Sequence, residues 1–304
     1  MSDKQYLRVG ELPLLRTLTL GSTKIHLMEA GLQWLDGGAM FGVVPRPLWE
    51  KKISPDHRHR IPLALRCLLV ETPNNLVLVD TGIGNKESEK FKDIYGVENE
   101  GSPTRLEDAL QSVGFETGDI DLVVSTHLHF DHAGGNTLRE EDGSLKPAFP
   151  KARYVMQKGE LDFAASPNER VAASYMHKNF APLVDAGRVD LVEGPTDLLD
   201  GISLLPTPGH TPYHQSILVE NEGEKALFLS DLCPTSAHLP LPWIMGYDLE
   251  PLVTLETKKT VWEKARNEGW ILLFQHDPAV AWGRLAPPGE KPMLQPLALD
   301  TSGP

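Results

Sequence analysis

The sequence predicts a mixed α/β protein whose β-sheets are covered by helices on their outer faces, and three observations predict it. Short runs rich in Val, Ile and Leu recur along the chain, most of them bounded by Gly, Pro, Asn or Asp, as strands are. Segments with helix start and stop signals lie between some of these runs. The apolar runs are too continuous for either surface of a sheet to face water, so both surfaces need cover.

In chain order, strands are predicted at 76–79, 122–124, 154–156, 189–192, 202–205, 216–219, 226–229 and 271–274. Helices are predicted at 105–113, with Thr104 as N-cap and Gly114 just after, at 168–186 closed by Gly187, and at 251–267 closed by Gly269. The last helix sets Leu255, Trp262 and Ala265 near one face, with Glu256, Lys259, Lys264 and Arg266 largely elsewhere. Two segments fit no element: 36–60 and 233–247 are rich in Pro, aromatic residues and His, and loops of that length in a compact domain are usually functional.

The 304 residues show no internal repeat and no Ser/Gly or charge-run linker, so a single domain spanning 1–304 is expected, with an N-terminal loop-rich extension, about residues 1–60, lying over the site. With 40% hydrophobic and 23% charged residues the composition is that of a globular protein. A net charge of −13 disfavours a nucleic-acid or anionic-membrane partner. The opening residues lack an apolar signal core and no later run is long enough to cross a membrane, which makes a cytoplasmic protein the expectation. Cys67 and Cys233 read as two buried small hydrophobes rather than a disulfide framework. A homodimer is compatible with all of this.

The chemistry concentrates in His127-Leu128-His129-Phe130-Asp131-His132, which follows the strand predicted at 122–124 and precedes Ala133-Gly134-Gly135. Residues two apart on an extended chain point the same way about 6.6 Å apart, so His127 and His129 converge on one ion. Asp131 and His132 are adjacent, diverge, and suit a second ion nearby. Gly134 and Gly135 allow a tight turn beside the cluster. Three more candidates stand where strand patterns stop, namely His210, Asp231 and His276.

Together these residues resemble the metallo-β-lactamase superfamily, whose ordered pattern is His-x-His-x-Asp-His, then His, Asp and His. The likeness extends to Asp80-Thr81-Gly82 after the first predicted strand. The resemblance implies a four-layer αββα sandwich. It also implies two divalent ions, zinc first and manganese, iron or cobalt as alternatives, with His127, His129 and His210 on one, Asp131, His132 and His276 on the other, Asp231 bridging and Asp80 orienting a ligand. Two ions, two carboxylates and a bridging hydroxide leave the site close to one positive charge, a Lewis acid with its nucleophile in place.

The implied activity is hydrolysis of an ester, lactone or phosphotriester in a small, partly apolar molecule, nearest to the branch of N-acyl homoserine lactone lactonases and methyl parathion hydrolase-like enzymes. Asp131 and Asp231 are the catalytic carboxylates, and His238 is expected to protonate a leaving group or hold a carbonyl. Met40, Phe41, Val44, Trp49, Leu239, Leu241, Trp243, Ile244 and Met245 are candidates to line the pocket, with His57, His59 and Arg60 on a lid. The lactonases' substrate-contacting Tyr, three residues after the bridging Asp, is Pro234 here, with Tyr213 and Tyr247 as possible substitutes.

Alternatives within the superfamily are a glyoxalase II-like thioesterase and a mononuclear iron persulfide dioxygenase; outside catalysis, a metal-binding module. The Pro-rich, nearly uncharged segment 286–304 argues against a glutathione site. A flavodiiron enzyme would carry Glu in place of His129, and an RNA-processing nuclease would carry a basic surface.

Overall fold

The computed structural model describes residues 8–290 and 293–297. Its first nine strands are β1 (Leu15–Leu20), β2 (Thr23–Asp36), β3 (Arg60–Glu71), β4 (Leu76–Val79), β5 (Leu122–Val124), β6 (Thr137–Arg139), β7 (Leu145–Pro147), β8 (Arg153–Gln157) and β9 (Val189–Val192). The β6–β7 hairpin stands apart, and the other seven form one sheet in the order β1-β2-β3-β4-β5-β8-β9. A second seven-stranded sheet follows in sequence order: β10 (Thr196–Leu199), β11 (Ile202–Pro206), β12 (Gln215–Asn221), β13 (Glu224–Phe228), β14 (Ile271–Leu273), β15 (Trp282–Leu285) and β16 (Leu294–Pro296). Each sheet mixes antiparallel neighbours with parallel ones, β4–β5, β5–β8 and β8–β9 in the first and β13–β14 in the second.

Three apolar layers show why the elements stack as they do. Between the sheets, Ile25, Leu27, Leu68, Val77, Val79 and Val124 of the first meet Leu204, Ile217, Ala226, Phe228, Ile271 and Leu273 of the second. The outer face of the first sheet, with Met28, Cys67, Leu69 and Tyr154, is covered by Leu106, Ala109 and Leu110 of a helix at Arg105–Ser112, together with Ala164 and Leu183. The outer face of the second, with Leu227 and Leu272, is covered by Val261, Trp262 and Ala265 of a helix at Pro251–Asn267. The order is helix, sheet, sheet, helix, as the αββα expectation requires.

All eight predicted strands are present within one or two residues at their ends, and the helix at Pro251–Asn267 has its predicted bounds. Thr104 caps Arg105–Ser112 by accepting the Glu107 N–H at 3.2 Å.

Two expectations fail. The first 60 residues are not a loop-rich extension throughout, because Leu15–Leu20 and Thr23–Asp36 pair over their length as β1 and β2. The segment 168–186 is not one helix: it turns across the site, makes a short 3-10 turn at His177–Asn179 and is helical only at Ala181–Asp185. Pro182 has no N–H to give and its ring would meet the carbonyl four residues back, so a helix can start there but cannot run through. The two unassigned segments are partly ordered, with short helices at Gly37–Phe41 and Arg46–Trp49 and a 3-10 turn at Ser236–His238. Both Cys are buried thiols.

Candidate metal centre

The candidate residues gather just past the carboxyl ends of strands from both sheets. β5 runs into His127, His129 and the short helix Phe130–Ala133, which carries Asp131 and His132. β11 leads to the turn holding His210, β13 to Asp231 and β14 to His276. Gly134 and Gly135 are required here for close approach: a Cβ on Gly134 would lie 2.3 Å from the Ile83 carbonyl oxygen, and one on Gly135 2.3 Å from that of Thr81.

The structure brings all seven predicted residues together, each of them buried. His127, His129 and His210 form one cluster of converging donor atoms, Asp131, His132 and His276 a second, and Asp231 joins His127 and His132 in a third that overlaps both. His129 Nδ1 lies 3.1 Å from His210 Nε2, and His132 Nε2 lies 3.3 Å from His276 Nε2. Asp231 Oδ2 is 3.1 Å from His210 Nε2 and 3.7 Å from His132 Nε2, while Oδ1 is 3.0 Å from His276 Nε2. A tetrahedral zinc with N ligands at about 2.0–2.1 Å has an edge of about 3.3 Å, so these spacings are those of ligands around cations.

Hydrogen bonds from behind leave the converging nitrogens free. His132 Nδ1 donates to Asp80 Oδ2 at 2.9 Å, His210 Nδ1 to Asp248 Oδ1 at 2.9 Å and His276 Nδ1 to the Ala64 carbonyl at 2.7 Å. Thr126 Oγ1 has one proton and gives it to Asp80 Oδ2 at 2.8 Å, so it accepts from His127 Nδ1 at 3.1 Å. His127 Nε2 is therefore a lone pair, and it is buried with no hydrogen-bond partner. An unpartnered lone pair in a cluster of imidazoles and carboxylates is what a cation would occupy, and the donor set suits zinc.

The charges agree. Burial holds His127 and His129 well below the ordinary imidazole pKa. Burial acts the same way on His132, but Asp131, Asp231 and the bond to Asp80 outweigh it and raise its pKa well above normal; Asp231 and Asp248 likewise outweigh burial and raise His210. Burial would raise the Asp231 carboxyl, and His210, His276 and His132 instead hold it well below the usual range. Protons here stand in for positive charge that metal ions would supply.

A cavity of about 390 Å³ opens onto these residues, lined also by Gln33, Leu35, Met40, Leu63, Tyr95, Arg170, Met245 and Tyr247. Of the nine apolar loop residues expected there, Met40 and Met245 line it. Phe41, Val44, Trp49 and Trp243 pack into a small core with Ile61 and Leu63, and Leu239 and Leu241 join the layer under the Pro251–Asn267 helix. Ile244 is half-buried, with its carbonyl against Gly42. Tyr247 reaches the cavity, while Tyr213 lies exposed over Gly159.

His238 does not reach this cavity. Its ring stacks on Phe41 at 4.4 Å, Nε2 donates to the Met40 carbonyl at 2.8 Å, and Nδ1 accepts from Thr235 Oγ1 at 2.8 Å. Burial pushes its pKa down to about 4, so it is neutral near pH 7 and both nitrogens are committed. His57 and Arg60 line a different cavity with Asp56 and Lys92, and His59 accepts from Arg46. Pro234 has a structural use, its carbonyl accepting the His276 N–H at 3.0 Å.

Several supporting residues carried no sequence signal. Glu160, fully buried, accepts from Leu128 N, the Tyr175 hydroxyl and Thr211 Oγ1, tying together three segments that border the site. Asp248 and Gln33 are the others, since an isolated Asp or Gln on a loop or strand has no motif.

The comparisons with known proteins agree with this geometry. The family model described as the metallo-beta-lactamase superfamily matches residues 61–276. The chain is 31% identical over 264 residues to the N-acyl homoserine lactonase AiiA of Bacillus thuringiensis subsp. kurstaki, covering 84% of this chain and 93% of that one. Its structure is similar to that of a probable metal-dependent hydrolase from Staphylococcus aureus, with TM-score 0.85, 31% identity and coverage of 94% and 99%. It shares the fold of AidC, a dizinc quorum-quenching lactonase in complex with a product, at TM-score 0.74, 20% identity and coverage of 94% and 98%. Motif, layered fold and relatives coincide, and the chain belongs to the metallo-beta-lactamase superfamily, among its hydrolases.

Proposed function

We propose that this chain, acting as one domain, is a two-metal hydrolase that opens lactone rings, with N-acyl homoserine lactones as its substrate class and zinc as its metal. The observation that carries the reading is the convergence of seven buried side chains into two clusters with Asp231 between them. The lactonase relatives supply the substrate class. His127, His129 and His210 would hold one ion and Asp131, His132 and His276 the other. Two divalent ions so held supply a hydroxide nucleophile at neutral pH and polarise a carbonyl oxygen.

The chain's own residues do the rest. Leu35, Met40, Leu63 and Met245 give an acyl group an apolar wall and displace water from it. Tyr95 and Tyr247 offer phenolic O–H groups to a substrate oxygen. Burial, aided by the nearby Asp131 charge, raises the Tyr95 pKa, and burial aided by Asp36 pushes that of Tyr247 up to about 12, keeping both protonated.

Metal analysis of the purified protein should return close to two ions per chain, and a panel of acyl homoserine lactones, plain lactones, aryl esters, thioesters and phosphotriesters should show the first turned over fastest. Asp231→Ala should bring turnover down to background, since it removes the group shared by both clusters. Full activity in that variant defeats the site assignment; thioesters leading the panel move the substrate class elsewhere.

A further inference from the structure

Gln33 is buried at 0% exposure in the strand Thr23–Asp36, and it lines the same cavity as the clustered residues. The strand delivers it there through a bulge: between the pairs Glu29–Arg66 and Leu32–Ala64, the two residues Ala30 and Gly31 oppose the single Leu65. Gly31 sits in that bulge at φ 146°, where a Cβ would come within 2.7 Å of Asn99 Cβ. Beyond it the strand runs on beside β3, and Gln33 and Leu35, two apart, both reach the cavity.

Gln33 Nε2 donates to Asp131 Oδ2 at 2.6 Å. A carboxylate only accepts, so this contact fixes which end of the amide is nitrogen and turns Oε1 away from Asp131. Oε1 is buried and has no hydrogen-bond partner. The amide is thus a poor device for stabilising the fold, with one end paired and the other stranded. At Asp131 it is effective: one bond at Oδ2 sets the rotation of the carboxylate, which then turns Oδ1 to within 3.7 Å of His132 Nε2 and Oδ2 to within 3.9 Å of His276 Nε2.

We infer that Gln33 is a positioning residue for the Asp131, His132 and His276 site, fixing the rotation of the Asp131 carboxylate and so setting the affinity of that site for its ion against its neighbour. The inference rests on the two-metal reading above and is independent of the substrate. His132 and His276 are oriented by Asp80 and the Ala64 carbonyl, and Gln33 completes the set for the third member.

The test is Gln33→Met, which keeps length and bulk and removes both amide ends. Zinc is titrated into metal-free wild type and variant against a chromophoric chelator, and thermal unfolding of the metal-free forms is recorded alongside. One of the two zinc affinities should fall about ten- to a hundredfold with the other unchanged. The metal-free variant should unfold no earlier than wild type, since the stranded oxygen has gone too. Unchanged affinities overturn the inference, and so does an early-unfolding variant in which both sites weaken together, which would mark Gln33 as packing only. A wild type that takes up fewer than two ions overturns the two-metal reading and this assignment with it.

Discussion

His238 illustrates what single residues do when sequence and structure disagree. The sequence offered a histidine near Asp231, and the fold spends it on joining the 233–247 segment to the Met40 carbonyl. Its folded pKa of about 4 lies below the ordinary value of about 6.5, so on acidification the unfolded chain takes up the proton first. Its contribution is intact above pH 6.5 and is lost as the pH falls toward 4, by about 3 kcal/mol in all. His238→Gln keeps a donor for Met40 and does not titrate; urea unfolding at pH 7 and pH 5 should show a smaller loss of stability between the two than in wild type. Equal losses would place the acid sensitivity in other groups. The seven clustered residues were readable because metal chemistry demands particular side chains at particular offsets. Gln33, Asp248 and Glu160 were not, because a hydrogen bond from behind a ligand can come from almost anywhere in the chain.

At the scale of elements, the two longest of the strands that escaped the sequence reading, Thr23–Asp36 and Arg60–Glu71, carry charges in their interiors. Glu29 and Arg66 break the apolar pattern, yet they lie buried opposite each other at 3.5 Å, and Arg66 also donates to the carbonyls of Phe274 and Asp277 around His276. A buried ion pair is invisible to periodicity, since each half reads as a solvent-facing residue. The 233–247 segment shows the same logic in another form. Lys258 reaches from the helix Pro251–Asn267 into that segment and donates to the carbonyls of His238, Pro240 and Trp243 at 2.6, 3.1 and 3.1 Å. Lys258→Met should strand those three carbonyls and cost about 3 kcal/mol or more, read as a lower urea midpoint with faster proteolysis within 233–247. A variant as stable as wild type would mean that the helix does not hold the segment through this ammonium.

Over the whole molecule, the layers are held by burial and the candidate site is dominated by charge. Four of the seven clustered residues follow β5 in the first sheet, and three belong to the second. Metal uptake at these residues would therefore tie the sheets to each other. Chelation should lower the unfolding temperature, and zinc at a thousandfold excess over its dissociation constant should restore about 4 kcal/mol per site. An unfolding temperature indifferent to chelator would show that the centre adds nothing to the fold. Among the described residues no helix is long and apolar enough to cross a membrane.

The backbone passes from the first sheet to the second only once, between Val192 and Thr196, and never returns among the described residues. A cut in that stretch would separate two fragments, each holding a complete sheet and neither a full ligand set. A metal ion drawing donors from both would then pull the halves together, and returning activity would report that they had found each other.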